Sequence, residues 1–427
     1  MRLAVFTSKY PARIATFFER DMRALIETGM EIDVFSIAPL EASAWGHSLD
    51  LLGPTHLPRN QVHHLEFWQA VKASKPILQN RFPVVREDVW SILRAAARFG
   101  PVRFAKTAYA LPKAWAWAAQ YANRYDHVLG YWGNYAATIA YAFHRLAAPQ
   151  QPFSMWLHAG TDLYRGPVFL REKLAYADNV LTCCEFNQKY IVDRFGDVPG
   201  IRSKLHVCHH GLNLNEFPFQ LDGRAPATIL GVGALSKRKG FDYLVRAAQV
   251  LRAQGLDVKI ELIGDGEERS ELESLATTLG IADHVEFRGF QPFNGVREAM
   301  NRATMLVHPS DGLGDGLPNV VREAMALGAP VVASDVAGIP DALRDGCGVL
   351  VPPKDVYAPA GEIARLLRNP AERRAIAERA RRRTEEKYDL WQNGVKLARL
   401  LQSTRRTTQP VVATPAPVYL KRESPAC

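Results

Sequence analysis

Cysteine is scarce in this chain: five residues in 427, at Cys183, Cys184, Cys208, Cys347 and Cys427, an odd count with no Cys-x-x-Cys pair. That argues against a disulfide framework and against a thiolate metal site, and the thiols read as buried or incidental ones in a reducing compartment. His209 and His210 are adjacent, but no third ligand stands at a sensible spacing, so loop packing is expected rather than a metal. No run of about 18 apolar residues occurs, and no spanning helix is expected. Only Leu3–Phe6 is apolar after Met1-Arg2, too short for a secretory signal, which makes the cytoplasm the expected location. There is no short internal repeat. Nothing resembles a nucleic-acid-binding module, so nucleic acid is not expected as a partner.

What is present is a globular composition, 47% hydrophobic and 23% charged. The length exceeds one ordinary core and suggests two domains of roughly 200 residues each. The net charge of +9 is unevenly spread. Between Lys72 and Arg124 ten Lys or Arg stand against two acids, a local excess of eight, interleaved with Trp90, Trp115, Trp117, Phe99, Phe104, Tyr109 and Tyr121. Cations mixed with amphipathic rings suit an anionic bilayer surface, as well as an ordinary solvated helical face. Attachment to the inner face of the membrane, without a spanning helix, is the expectation.

Residues 1–222 read as one α/β unit. Leu3–Thr7 and Ile32–Ile37 are short apolar strands, and Phe17–Gly29 between them has helical spacing and stops at a glycine. Residues 60–124 read as largely helical. Further strands are predicted at His127–Leu129, Phe153–Leu157, Val180–Thr182 and Leu205–Val207. Phe219–Ala227 is a polar hinge candidate. A second α/β unit over residues 223–404 should carry strands at Thr228–Gly231, Lys259–Ile263, Val285–Arg288, Met305–His308, Val331–Ala333 and Gly348–Val351. Its last helix is a candidate to pack back on the first unit. The tail, residues 405–427, is proline-rich and expected to be disordered. Two strand–helix arrays joined by a short linker describe twin Rossmann-like domains facing a cleft, with ligands at the carboxyl ends of the strands.

Two loops carry the chemistry. Asp311-Gly-Leu-Gly-Asp315-Gly316-Leu317-Pro318-Asn319 follows a strand and opens a helix that contains Glu323. The glycines let backbone amides approach a ligand closely, and the helix start offers free N–H groups to an anion such as a diphosphate. Asp315 and Glu323 are spaced to accept hydrogen bonds from hydroxyls at two ends of one ligand. The second loop, Gly231-Val-Gly233-Ala-Leu-Ser-Lys237-Arg238-Lys239-Gly240, sets three consecutive cations beside a glycine turn, a plausible diphosphate clamp.

These runs, with Pro330-Val-Val-Ala-Ser-Asp335-Val-Ala-Gly338-Ile-Pro340, resemble the C-terminal domain of glycosyltransferase family 4. Tyr10-Pro11, Thr16-Phe17-Phe18 and His158-Ala-Gly160-Thr-Asp162 are similar to N-terminal segments of its exopolysaccharide members, of which colanic-acid-type transferases are the closest group. The resemblance implies a GT-B fold and a retaining transfer of a hexose from a nucleoside-diphosphate sugar to a glycan or polyprenyl-linked acceptor in polysaccharide biosynthesis. It implies that Lys239 pairs with the donor diphosphate, with Gly233, Lys237 and Arg238 beside it. Glu323 would hold the ribose hydroxyls and Asp315 the donor sugar. Amides from Gly316, Leu317, Pro318 and Asn319 would line the phosphates, and His158 would stand at the cleft wall near the reacting carbon. Asp-x-Asp, the metal-bearing triplet of transferases of the other main fold, is absent, so no metal or other cofactor is expected.

The chain departs from the family pattern at Asp315 and Asp341 in place of Glu, at Ala234 in place of a diphosphate-clamping Arg, and at Asn213 in place of Asp. Two rivals keep the fold: a non-catalytic partner of another transferase, of which these departures would be the trace, and a nucleotide-sugar epimerase, which would need acid/base carboxylates in the N-terminal cleft.

Overall fold

A computed structural model describes residues 1–10, 16–38, 57–314 and 316–406. Thirteen strands among them form two wholly parallel sheets. The first has seven strands in the order β3-β2-β1-β4-β5-β6-β7: β1 (Arg2–Thr7), β2 (Glu31–Ser36), β3 (Val62–His63), β4 (His127–Gly130), β5 (Phe153–Leu157), β6 (Asn179–Thr182) and β7 (Leu205–Val207). The second has six in the order β10-β9-β8-β11-β12-β13: β8 (Thr228–Val232), β9 (Lys259–Ile263), β10 (Val285–Phe287), β11 (Met305–His308), β12 (Val331–Ser334) and β13 (Val349–Val351). Central strands such as β4, β5, β8 and β11 are buried along their whole length, as parallel strands covered on both faces must be. This explains why they read as short apolar runs instead of alternating ones.

The helices of the first unit are α1 (Thr16–Glu27), α2 (Phe67–Ala73), α3 (Lys75–Asn80), α4 (Phe82–Ala97), α5 (Pro101–Tyr121), α6 (Tyr135–Ala147), α7 (Leu170–Tyr176), α8 (Glu185–Phe195) and α9 (Ile201–Lys204). Those of the second are α10 (Phe241–Ala253), α11 (Arg269–Thr278), α12 (Phe293–Arg302), α13 (Asn319–Leu327), α14 (Ile339–Leu343), α15 (Tyr357–Arg368), α16 (Pro370–Lys387) and α17 (Leu390–Ser403). In each sheet the strand order reverses once, between β1 and β4 and between β8 and β11. The crevice at such a reversal is where ligands bind in open parallel sheets.

The chain crosses between the units twice. Leu212 bridges to Asp389 beside the second crossing, and α17 returns to the first unit, where Leu397, Ala398 and Leu401 share a core with Phe18, Met22 and Leu25 of α1. Gly394 allows that approach, since a Cβ there would press on Ala24. The hinge candidate Phe219–Ala227 is not a loose tether. Arg224 donates to the carbonyls of Met300, Asn301, Ala303, Gln220 and Leu327, fastening the segment to the second unit. The tail's residues 407–427 lie outside the described residues.

Candidate active site

The two loops singled out in the sequence meet at the reversal point of the second sheet. The first follows β8. Gly233 sits beneath the Lys239 stem, whose Cε would lie 3.4 Å from a Cβ at position 233. Lys237–Lys239 form one 3-10 turn, closed by Gly240 in the left-handed region (φ 64°). Gly240 is required there twice over: by that φ, and because a Cβ would overlap the Pro309 carbonyl of the second loop. The second loop follows β11 and is laced to the first. The Arg238 carbonyl accepts from Asp311 N at 3.1 Å and from Ser310 Oγ at 3.1 Å, and the Arg238 side chain fills the space where Gly314 lacks a Cβ. Asp315 lies outside the described residues.

The α13 helix then opens at Asn319 behind Pro318, with no side chain capping it, so its first N–H groups and dipole are presented to the loop. Arg322, fully buried in α13, binds the Asn319 side chain and the His210 carbonyl. Glu323, 7% exposed, pairs not with Arg322 or Arg297 on its own domain but with Arg20 of α1, at 3.0 Å.

The opposing wall comes from the first sheet. His158 follows β5 and is 6% exposed. Its Nδ1 lies 3.3 Å from Asp162 Oδ2. A carboxylate accepts, so a hydrogen sits on Nδ1, and Nε2 is buried with no hydrogen-bond partner among the described residues. The ring stacks on His210 (centroids 5.0 Å apart, planes within 3°) and lies 4.5 Å from the Trp132 ring. Burial pushes His210 down to about 4, so it is neutral near pH 7, and its Nδ1 donates to Asp21 of α1 at 2.6 Å. Loop packing is thus what His210 does, and His209 binds the Cys183 carbonyl. The loop after β4, which carries Trp132, is pinned from below by Lys173, whose ammonium donates to the carbonyls of Gly133 and Asn134 and to Thr138 Oγ1. Burial pushes Lys173 down to about 7.

The two walls touch. Gly316 leaves room for a Cβ only 3.3 Å from the His158 carbonyl and 3.4 Å from Cys183 Sγ. Asp341 accepts from Phe186 N at 2.9 Å, capping α8 across the interface. Beside His158, a cleft of about 490 Å³ is lined by Ser8, Val102, Arg103, Lys106, Trp132, Tyr135 and Asp162 among others. Of the residues that sequence reasoning brought to this region, Gly316 lies against His158 and Glu323 against Arg20 where the two units meet, while Gly233, Lys237, Arg238 and Lys239 stand on the loop laced to the segment that leads through Leu317 and Pro318 to Asn319. Sequence reasoning missed Arg20, Asp21 and Arg322. A signal for Asp21 was present, since Phe18, Met22 and Leu25 put position 21 on the apolar face of α1.

The sequence model of the family described as glycosyl transferases group 1 matches residues 216–383, the part of the chain that holds both loops. The chain is 29% identical over 193 residues to the amylovoran biosynthesis glycosyltransferase AmsK of Erwinia amylovora, covering 44% of this chain and 47% of that one. It is 33% identical over 171 residues to the alpha-D-kanosaminyltransferase of Streptomyces kanamyceticus, covering 40% and 44%. The chain thus spans about half the length of the curated relatives it matches. In fold the likeness extends over most of the chain. The Anabaena protein HepE, solved in complex with UDP, superposes with a TM-score of 0.66 at 18% identity over 94% of this chain and 99% of its own. The sucrose-phosphate synthase of Thermosynechococcus elongatus does so at 0.70 and 19%, over 94% and 98%. The architecture is GT-B. Among the described residues no group of three or more His, Cys, Asp or Glu side chains is placed to hold a metal ion.

Proposed function

We propose that this protein transfers a hexose from a nucleoside-diphosphate sugar to a hydroxyl of a glycan or polyprenyl-linked acceptor in polysaccharide biosynthesis, with retention and without a metal. The observation that carries the reading is one cleft with two chemically distinct walls. A loop of three cations is laced to the segment that opens an uncapped helix carrying a buried carboxylate on one wall, and on the other stands His158, whose carbonyl lies against Gly316. Departure of a nucleoside diphosphate leaves growing negative charge on its β-phosphate, which Lys237, Lys239 and the α13 amides are positioned to stabilise. With no carboxylate among the described residues assigned as a nucleophile, the acceptor hydroxyl attacks on the face the phosphate leaves, and that phosphate takes its proton. Contact between the walls limits water, and so donor hydrolysis.

The acceptor is assigned to the cleft beside His158, where Arg103 and Lys106 suit an anionic group, and Trp132 and Tyr135 suit a sugar face. The donor panel starts with UDP-glucose, the ligand of another HepE complex, and GDP-mannose, named in a mycobacterial mannosyltransferase 29% identical over 240 residues. Thermal shift with UDP, GDP, ADP and their sugars, with and without EDTA, tests the reading. One base should raise the melting temperature by a few degrees at about 100 times its Kd. The shift should be unaffected by EDTA and lost in Glu323→Ala. No shift with any nucleotide would replace the reading with the non-catalytic partner.

Membrane attachment rests on α2 to α5. Trp68 and Trp90 are each 72% exposed there, with Phe82 and Val102 also exposed amid the basic stretch. No helix among the described residues is long and apolar enough to cross a membrane, so attachment would be peripheral.

A further inference from the structure

Arg20 is buried, with a side chain 4% exposed, and its guanidinium lies 5.4 Å from the ring centres of both Phe217 and Phe293. Only Nη1 is used, in the bond to Glu323 Oε1; Nε and Nη2 have no hydrogen-bond partner. Burying a guanidinium with two idle nitrogens forfeits their hydration without return. A purely structural ion pair would be expected to satisfy them. The idle donors also lie beside Glu323, the carboxylate assigned above to the ribose, which takes no other side-chain hydrogen bond.

A carboxylate next to a guanidinium with free N–H groups presents an acceptor and donors side by side. A vicinal diol offers the complement, since each hydroxyl both donates and accepts. We propose that Arg20 is the second half of the ribose site: a ribose hydroxyl donates to Glu323, and its oxygen accepts from Arg20. The site is then built by both domains. The first domain contributes Arg20 from α1, the helix whose next residue, Asp21, holds His210 under His158. Ribonucleotide binding would accordingly hold the two walls of the cleft together. The inference rests on the donor-site reading of Glu323.

The test is calorimetric titration of the full chain with UDP, GDP and their 2′-deoxy forms, on the wild type, Arg20→Met and Arg20→Lys. Methionine keeps the apolar packing against Phe217 and Phe293, and lysine keeps the charge. The wild type should prefer the ribonucleotide about tenfold or more. Arg20→Met should weaken ribonucleotide binding about tenfold while leaving the deoxynucleotide nearly unchanged, so that the preference collapses, and Arg20→Lys should restore part of it. A variant with the wild-type preference would overturn the inference and leave the donor reading standing. A variant that binds ribonucleotides more tightly would overturn it too, making Arg20 a plug that the ligand displaces. A wild type that binds nucleotide without preferring ribose would remove the ribose role of Glu323, and this inference with it. Should Arg20→Met not fold, the Lys variant decides, because a charge without the fork cannot reproduce the full preference.

Discussion

At the scale of single residues, the cleft depends on charges that the fold buries and pairs across the domain boundary. If His158 acts on the acceptor through Nε2, His158→Ala should lower transfer about 10²-fold in protein that remains folded; a folded variant within twofold of wild type would remove His158 from the reacting centre. Glu19 makes a second, pH-dependent point. It is buried on α1 and bonds to the Tyr10 hydroxyl, and burial raises its carboxyl from an ordinary 4.5 to about 7. A folded-state value raised in this way contributes stability that is full below about 4.5 and lost as pH rises through about 7. Melting curves from pH 5 to 8 should fall more steeply for the wild type than for Glu19→Gln; parallel curves would contradict the assignment. Little of this was legible beforehand. Glu19 and Arg20 carry no signal of their burial in the local sequence, because the partner of Arg20 lies 303 residues away. The glycine- and lysine-bearing loops, by contrast, are local, and their residue types declare their chemistry.

At the scale of elements, the strand–loop–helix units were readable because fully buried parallel strands appear as short apolar runs. Helix starts were less so: α12 begins at Phe293, behind Pro292, and proline fixes the backbone there independently of apolar periodicity. The lacing of the two donor-side loops could not be read at all, since it depends on what a missing Cβ makes room for. Gly240 is the sharpest case. Gly240→Ala combines a left-handed backbone with overlap on Pro309, and should cost about 1–3 kcal/mol from the backbone strain alone. It should also separate the cation turn from the second loop, so that nucleotide binding weakens more than stability does. Denaturant titration and calorimetry on the same variant check both; loss of neither would contradict the lacing.

At the scale of the whole molecule, the arrangement is two Rossmann-like sheets tied by α17 and by the Arg20–Glu323, Asp341–Phe186 and Arg322–His210 contacts. A separate surface carries the basic, tryptophan-bearing helices. If that surface meets the membrane, liposomes containing phosphatidylglycerol should float the protein at low salt. Binding should be lost at about 0.5 M salt, where screening is short-ranged, and reduced in a Trp68→Ala, Trp90→Ala variant. No flotation, or flotation indifferent to both changes, would confine the stretch to an ordinary solvated face. The central claim concerns transfer itself. Its most direct test is to incubate the protein with radiolabelled UDP-glucose, then GDP-mannose, and a membrane extract containing polyprenyl-linked glycans. The nucleoside diphosphate released is followed together with label in the organic-soluble fraction. The account predicts release matched by incorporation for one donor, undiminished by EDTA and lost in Glu323→Ala. Incorporation that persists in Glu323→Ala, or no release from any nucleoside-diphosphate hexose, would contradict it.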